Sequence, residues 1–412
     1  MAVWFIGSLG FEFMNVLTIN AGSTSVKFAV FASDQDEPLR EGEISWASGR
    51  RDQARLTVVS RGGGRKQTMV SAENDQAAAA CAIQAALGGD TEPPPMVDVV
   101  GHRIVHGGIE LRESVVIDAK VRNIIADLGR LAPLHNPPAL RAMEAAQSAF
   151  PNTPQVAVFD TAFFAQLPSE KFVYPLPYDY YEKYGIRRFG FHGISMAYCT
   201  SRADELLKRP AGARNLIICH LGGGCSASAI RDGRPVATTL GFSPLDGLMM
   251  GSRPGGLDPG ILLTLQRQHG LTLEQIDHDL NYASGLLGIS GISPDLANIE
   301  KAMGEGNERA RLAFEMFADR VRSAIGGLAV TLGRLDGLVF TDRIGEHSPA
   351  LRARVCEGLE ILGLRLDPAR NKMRELDVDI AATDSHGRIL VIHTREELMI
   401  AREAARVMGG RT

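Results

Sequence analysis

The sequence contains one strand-and-turn pattern twice, about 200 residues apart. Residues 15–22 read NVLTINAG and residues 215–222 read NLIICHLG, and in each copy a β-branched apolar strand enters a glycine turn. A second alternating strand follows each turn, VKFAVFA in the first copy and SASAIRDG in the second. Apolar runs joined by a glycine turn predict a β-hairpin. The repeat therefore predicts a duplicated domain, with one phosphate-sized glycine turn in each lobe and the two turns facing each other across a cleft.

Further strand and helix patterns alternate along the chain. Apolar runs at 97–108 and 155–164 predict buried strands that end in polar loops, and 337–348 predicts a strand followed by a glycine loop. Residues 307–333 and 396–409 carry apolar side chains at helical spacing. Strands that alternate with helices predict an α/β fold.

The length of 412 residues predicts two domains, because one hydrophobic core rarely grows so large. We expect an N-terminal lobe at 1–162 and a C-terminal lobe at 163–412, joined by a hinge. The last helix, about 397–412, is a candidate to pack back on the N-terminal lobe. Residues 1–13 lack a basic segment and a cleavage site, so we interpret them as a terminal extension or an upstream start, not as a signal peptide.

Composition argues against several classes of partner. The net charge of −4 comes from interspersed charges, which gives no basic surface for nucleic acid or a membrane. No apolar run is long enough to span a bilayer. The five cysteines are scattered without CxxC spacing, which predicts neither a disulfide framework nor a zinc site and is typical of a cytoplasmic protein.

The two glycine turns are candidate phosphate loops. NAGSTSVKF offers Gly22 for the turn, the hydroxyls of residues 23–25, and Lys27 as a cation. HLGGG at 220–224 offers three glycines whose amides could form an anion nest. Each motif alone could also be an ordinary polar turn or a bulge. The spacing of a P-loop is absent, so a strand-turn-strand phosphate loop is favoured.

Four ionisable residues follow apolar runs or lie in glycine-rich loops. Arg103 and Arg253 suit planar recognition of a carboxylate or phosphate, and Asp160 ends an apolar strand where burial requires a cationic or ligand partner. His192, in GFHGIS, could donate to a phosphoryl oxygen. The alternative for the arginines is ordinary ion pairing. A structural role is the expectation for three other histidines, which are His102, His106 and His135.

Together, these segments resemble the acetate kinases of the actin-like superfamily of acetate and sugar kinases. The likeness runs from about Met14 to the C-terminus. It is carried by NAGSTSVKF, GHRIVHGG, LAPLHNPP, FDTAF, RRFGFHGIS, HLGGG, GFSPLDGLMMGSRPGGLDP, GLLGISGISPDL and TREELMIAR. The resemblance implies a duplicated, ribonuclease H-like (ASKHA) fold with an interdomain cleft. It also implies Mg²⁺-dependent phosphoryl transfer between ATP and acetate, giving acetyl phosphate and ADP, in a homodimer.

The resemblance also implies roles for residues. Asn20 and Glu396 would organise Mg²⁺, with Mn²⁺ as a possible substitute. Arg103 and Arg253 would hold the carboxylate and the developing phosphoryl charge, with Asp160 as the catalytic carboxylate and His192 as the transition-state donor. The acyl pocket would be lined by Val105, Leu134, Phe191 and Pro244. Lys27 and His220 would contact the donor, with the remaining donor contacts made by Leu221, Gly222, Gly223, Gly224, Asp295, Leu296, Ala297, Arg343, Ile344, Gly345, Glu346 and His347.

Three donor loops depart from the family pattern. Gly223 stands where HLGNG has asparagine, and Ala297 where DLR has arginine. The third loop reads TDRIGEH instead of TAGIGEN, which introduces Asp342, Arg343 and His347. ATP remains the expected donor, and pyrophosphate or another phosphorylated donor is the alternative. Propionate as acceptor, and an inactive or chaperone-like nucleotide-binding relative, also stay open.

Overall fold

The chain forms two compact units in the structure, which is a computed structural model. It describes residues 14–22, 24–46, 51–88, 95–208 and 214–409. One unit comprises the described residues of Met1–Ala165 and Arg395–Thr412, and the other comprises those of Gln166–Thr394. These divisions fall after residue 165 and before residue 395, whereas the sequence predicted a boundary after 162 and a returning helix from about 397. The predicted extension at 1–13 and the hydroxyl of Ser23 lie outside the described residues.

Among its described residues, the first unit contains one mixed sheet. Its strands are β1 (Asn15–Ala21), β2 (Ser25–Ala32), β3 (Arg40–Ser45), β4 (Ala54–Ser60), β5 (Arg65–Val70), β6 (Val99–Ile104), β7 (Val115–Val116) and β8 (Gln155–Phe159). They are ordered β5-β4-β3-β2-β1-β6-β8-β7. The strands from β1 to β5 pair antiparallel, whereas β1, β6 and β8 run parallel. The carboxyl ends of β1, β6 and β8 therefore lie side by side.

The described part of the second unit repeats this topology. Its strands are β9 (Asn215–Leu221), β10 (Cys225–Arg231), β11 (Arg234–Thr238), β12 (Gly337–Thr341), β13 (Val378–Asp379) and β14 (Arg388–Val391). Their order is β11-β10-β9-β12-β14-β13, so the series β11-β10-β9-β12-β14 matches β3-β2-β1-β6-β8. In both units a hairpin is followed by parallel strands. The predicted duplicated α/β fold is confirmed.

Helices cover both sheets. They are α1 (Asp75–Leu87), α2 (Ala119–Asp127), α3 (Asn136–Ala149), α4 (Ser169–Phe172), α5 (Asp179–Tyr184), α6 (Gly193–Leu206), α7 (Pro259–His269), α8 (Leu273–Tyr282), α9 (Gly285–Ser290), α10 (Leu296–Gly304), α11 (Glu308–Leu332), α12 (Asp342–His347), α13 (Pro349–Cys356) and α14 (Glu396–Gly409). In the first unit α1, α3 and α14 pack on the sheet, and in the second α6 and α11 do. A Cβ at Gly101 would lie 2.8 Å from Cγ2 of Ile400, so this glycine lets α14 approach β6 closely.

The helices lack the combination of length and apolar character that a membrane span requires, within the part of the chain that the structure describes. The 25-residue α11 is long enough to cross a bilayer, but charged residues interrupt it. Within the ranges that the structure describes, no helix has both the length and the hydropathy of a membrane-spanning segment.

The segment after β12 is a short helix, and the predicted glycine loop at this place is wrong. Thr341 is extended, and α12 begins at the next residue. The backbone N–H of Asp342 donates to Oε1 of Glu346 at 2.9 Å. This bond from a side chain satisfies a helix-start amide that has no partner within the helix. Gly345 therefore lies within a helix and does not form a turn.

Candidate active site

Three neighbouring strands of the first sheet carry polar side chains at their carboxyl ends. Asn20 lies on β1, Arg103 on β6, and Asp160 directly follows β8. Nε and Nη2 of Arg103 donate to Oδ2 of Asp160 at 3.1 and 2.7 Å, and Nη1 donates to Oδ1 of Asn20 at 3.0 Å. Ligand sites in α/β proteins commonly form where parallel strands end, which explains how residues distant in sequence meet here.

Two glutamates at the start of α14 complete this group, which we name the Arg103 cluster. Nδ2 of Asn20 donates to Oε2 of Glu396 at 3.4 Å and to Oε1 of Glu397 at 3.2 Å. Burial alone would lower the pKa of Arg103, but attraction to Asp160 and both glutamates outweighs burial and raises that pKa. The cluster therefore holds a permanent cation among carboxylates. Sequence analysis missed Glu397, although the motif TREELMIAR places it next to Glu396.

The second unit brings two histidines and an arginine to its glycine hairpin. His192 precedes α6 in a left-handed conformation, with φ at 59°. Its ring stacks on that of His220 with 4.2 Å between centroids. A Cβ at Gly224 would lie 2.9 Å from Nε2 of His192 and 3.2 Å from Nη2 of Arg253. Glycine at this position therefore lets both side chains approach the hairpin backbone. We name these four residues the Arg253 cluster.

Arg253 differs from Arg103 in its electrostatic surroundings. Burial lowers the pKa of the Arg253 guanidinium. Its Nη1 donates to the backbone carbonyl of Pro244 at 2.9 Å. Within the described ranges, no carboxylate forms an ion pair with it. A desolvated cation without an acidic partner is costly in the absence of ligand and is suited to bind an anion.

Hydroxyl groups that sequence analysis did not single out fix both histidine rings. Nδ1 of His192 shares a hydrogen bond of 2.9 Å with Oγ of Ser226, and Nδ1 of His220 shares one of 2.9 Å with Oγ of Ser195. Oγ1 of Thr394 donates to Ser195 at 2.8 Å. Ser195 follows His192 within GFHGIS, so its nearness in sequence was a usable signal. Thr394 is distant from both histidines in sequence, but it is the first residue of the motif TREELMIAR.

The remaining residues predicted to contact the donor lie in three places, which are the β9–β10 hairpin, the start of α10 and α12. Nη2 of Arg343 lies 2.5 Å from Oδ2 of Asp295, whose other oxygen caps α10 by accepting the N–H of Ala297 at 3.1 Å. Arg343 is 70% exposed at its side chain, so this ion pair borders solvent. Ile344, Gly345 and Glu346 are buried, as are Leu221, Gly222 and Leu296, whereas Gly223, Ala297 and His347 are exposed. This ion pair thus joins two of the three altered loops.

Comparisons with known proteins decide the family. The model of the Acetokinase family matches residues 15–402. The chain belongs to the acetokinase family. An acetate kinase of Trichormus variabilis is 46% identical over 400 residues, which are 95% of this chain and 98% of that relative. An acetate kinase of Geobacillus kaustophilus is 44% identical over 394 residues, 95% of this chain and 98% of that relative. The resemblance inferred from the motifs is confirmed.

Solved structures of acetokinases share the fold. The crystal structure of Porphyromonas gingivalis acetate kinase matches with a TM-score of 0.86 and 36% identity, covering 96% of this chain and all of that chain. A propionate kinase from Francisella tularensis matches with a TM-score of 0.85 and 33% identity, over 96% of this chain and all of that chain. The predicted actin-like fold class is confirmed.

The four acyl-pocket residues of the acetokinase pattern are divided between the units. Val105 and Leu134 belong to the first unit, and Phe191 and Pro244 to the second. Val105 and Phe191 are buried, whereas Leu134 and Pro244 are partly exposed. The pocket formed by all four stays a prediction. Lys27 is exposed on β2, where it is the register partner of Asn20 on β1.

The Arg103 cluster also offers the ligand type that a magnesium ion requires. Asn20, Glu396 and Glu397 supply amide and carboxylate oxygens, and Oδ1 of Asn20 keeps a second lone pair beyond its bond to Arg103. Among the described residues, no three His, Cys, Asp or Glu side chains are grouped as a metal-binding set. Mg²⁺ keeps several waters and is usually held by one or two carboxylates. The donor set therefore fits an open magnesium site.

Two buried histidines of the first unit predict that the folded state loses stability at acidic pH. Burial lowers the pKa of His102 to about 4, although its bond to Gln155 opposes this, and burial lowers the pKa of His106 to about 4. Their ordinary pKa is about 6.5, so the unfolded chain takes up protons first and stability falls as the pH drops from about 6.5 to 4. A shift of this size corresponds to roughly 3 kcal/mol for each histidine. We expect urea unfolding to show that His102→Gln loses less stability than the parent protein as the pH falls from about 6.5 to 4. If the free energy of unfolding falls equally steeply with pH in both proteins, His102 is not a cause of the acid sensitivity.

Proposed function

We propose that this chain catalyses reversible, Mg²⁺-dependent phosphoryl transfer between ATP and acetate, giving acetyl phosphate and ADP. The observation that carries the proposal is the Arg253 cluster, in which a partly buried guanidinium lies beside a glycine hairpin and, within the described ranges, forms no ion pair with a carboxylate. Phosphoryl transfer relies on positioned cations and donors around the migrating group. The names of the relatives support acetate as the acceptor.

The residues take complementary roles in this proposal. Arg253 and His192 would donate to the phosphoryl oxygens as charge develops, while the hairpin at 222–224 and His220 would hold the donor's phosphates. Arg103 would bind the acetate carboxylate or the transferring phosphoryl group. Asp160 accepts two bonds from Arg103 and would act through it by fixing the guanidinium plane. In-line transfer requires no covalent enzyme intermediate.

Asn20 and Glu396 would hold Mg²⁺, with Glu397 beside them. When bound, the ion offsets the negative charge of the phosphates. In the structure Asn20 is hydrogen-bonded to both glutamates and to Arg103. It would therefore hold the proposed magnesium ligands at a fixed position relative to the guanidinium that binds the anion.

The identity of the donor depends on α12. We infer that ATP is used, with pyrophosphate as the alternative because Arg343 replaces a glycine of the family pattern. An Arg343→Gly variant is expected to lower the KM for ATP several-fold and leave the KM for pyrophosphate unchanged, since it removes a long side chain and its ion pair with Asp295. Arg365→Gly, which removes another exposed ion pair, is the control. Equal donor preference before and after the change would refute an effect of Arg343 on nucleoside binding.

The acceptor is proposed to be acetate, with propionate as an alternative. A solved acetate kinase and a solved propionate kinase resemble the chain almost equally, so overall similarity does not separate the two acids. Trapping the acyl phosphate with hydroxylamine distinguishes them when acetate and propionate are supplied in parallel. The same assay with ATP and with pyrophosphate tests the donor. Absence of product in all four combinations would favour an inactive or nucleotide-binding relative.

We also propose a homodimer. In α7 no side chain is buried, and Ile261 and Leu263 are 46% and 48% exposed. An exposed apolar helix face is typical of an interface, and most oligomers are symmetric copies of one chain. A mass measurement in solution tests whether the protein is a dimer.

A cytoplasmic location stays a prediction, and the five cysteines, which form no disulfide, are typical of a reducing compartment.

A further inference from the structure

Asp342 places a carboxylate on the glycine hairpin of the second unit. A Cβ at Gly222 would overlap Oδ2 of Asp342, so the carboxylate fills the space that this glycine leaves open. The same oxygen lies 3.2 Å from Nε2 of His220. Asp342 stands where the family pattern TAGIGEN has alanine. A negative charge therefore lies on the part of the hairpin that the proposed function assigns to the donor's phosphates.

The hydrogen bonds of His220 show which nitrogen faces this carboxylate as a donor. A carboxylate only accepts, so Nε2 carries the hydrogen that points to Asp342. On the other side of the ring, Nδ1 shares its bond with Oγ of Ser195, and Ser195 accepts from Thr394 at 2.8 Å. In a neutral imidazole with its hydrogen on Nε2, Nδ1 is the acceptor, and Ser195 then donates to it. The Nε2 side of the His220 ring thus faces Asp342 at 3.2 Å.

The backbone of Asp342 is held in place. Its φ is 62°, a left-handed conformation that aspartate and asparagine tolerate better than most residues. Its N–H donates to Oε1 of Glu346 at 2.9 Å, and the same oxygen accepts the N–H of Thr394 at 3.0 Å. Nδ1 of His393 lies 2.8 Å from the other oxygen of Glu346. The carboxylate is thus directed to His220 by a fixed backbone, not by a flexible loop.

We propose that Asp342 sets the affinity for the phosphoryl donor by competing with its phosphate for His220. The inference rests on the proposed function, in which His220 contacts the donor. A phosphate oxygen and the carboxylate accept the same Nε2–H, so only one can be bound at a time. The two anions also repel each other. Binding of a polyanionic donor therefore requires the Asp342 side chain to move off the ring.

The test is an Asp342→Asn variant, which keeps the size of the side chain and the tolerance of positive φ but removes the charge. Asp232→Asn is the matched control, because Asp232 also has positive φ, at 50°, and is exposed in the turn between β10 and β11. Acetyl phosphate formation gives the KM for ATP, pyrophosphate and acetate separately. We expect the donor KM to fall on the order of tenfold, as for loss of a competing charge-assisted bond, with the KM for acetate unchanged.

The outcomes separate this inference from the proposed function. A donor KM that stays the same or rises in Asp342→Asn would overturn the competition, and a rise would mean that the carboxylate helps to hold the donor. If neither the parent nor its variants form acetyl phosphate, the proposed function fails, and titration calorimetry with ATP and pyrophosphate still tests whether Asp342→Asn binds more tightly than the parent. Asp342→Gly provides a second variant should the first not fold, because glycine adopts the same backbone conformation.

Discussion

An Arg253→Met variant is expected to lose roughly 10³-fold in kcat while its free energy of unfolding stays the same or rises by about 1 kcal/mol. Burial lowers the pKa of this guanidinium, and among the described residues no carboxylate pairs with it. Its charge therefore costs free energy in the unliganded protein and is compensated only when an anion arrives. Methionine removes that cost and, among the described residues, gives up the bond from Nη1 to the carbonyl of Pro244.

Two measurements check this expectation. Steady-state acetyl phosphate formation gives kcat, and urea unfolding gives stability. Arg311→Met, at an exposed position of α11, is the control for the loss of a positive charge. A fall in stability of more than about 2 kcal/mol would mean that Arg253 supports the fold, and a kcat near that of the parent would remove Arg253 from the proposed chemistry.

The duplicated architecture could be predicted from the sequence because each copy carries the same local pattern. Residues 15–22 and 215–222 each combine an apolar strand with a glycine turn, and that combination is sufficient to predict a hairpin. The two hairpins occupy equivalent places in sheets of matching order. Strand order itself was not readable, because it depends on pairing between segments that are distant in the chain.

The candidate site could be predicted from the sequence only in part. The sequence identified Arg103, Asn20 and Asp160, but their mutual bonds depend on the adjacency of β1, β6 and β8. The sequence also placed a glycine loop after β12, since the bond between the N–H of Asp342 and Glu346 that starts α12 leaves no periodic pattern.

Electrostatic context was the least predictable part. Two arginines that look alike in sequence differ in the structure, because one is surrounded by carboxylates and the other is desolvated without an acidic partner within the described ranges. Motif matching assigned both to the same chemistry. Whether a buried arginine stabilises or destabilises the fold depends on the charged groups around it. The stability of variants at Arg103 and Arg253 tests this difference.

An Arg103→Met variant is expected to lose both activity and stability. Its guanidinium makes two bonds to Asp160, which is fully buried, and one to Asn20. Removing one partner of a buried ion pair costs about 3 to 5 kcal/mol, because the remaining carboxylate stays buried without its cation. We expect urea unfolding to show a loss of this size and kcat to fall roughly 10³-fold.

The double variant Arg103→Met/Asp160→Asn separates the two effects. Neutralising Asp160 removes the uncompensated carboxylate, so the double variant is expected to regain much of the stability lost in Arg103→Met without regaining activity. If the two substitutions add independently in stability, the pair is not coupled as the structure shows it. Recovered stability with kcat still low would show that the pair of Arg103 and Asp160 is needed for the reaction itself, because the fold would then be intact while the ion pair is absent.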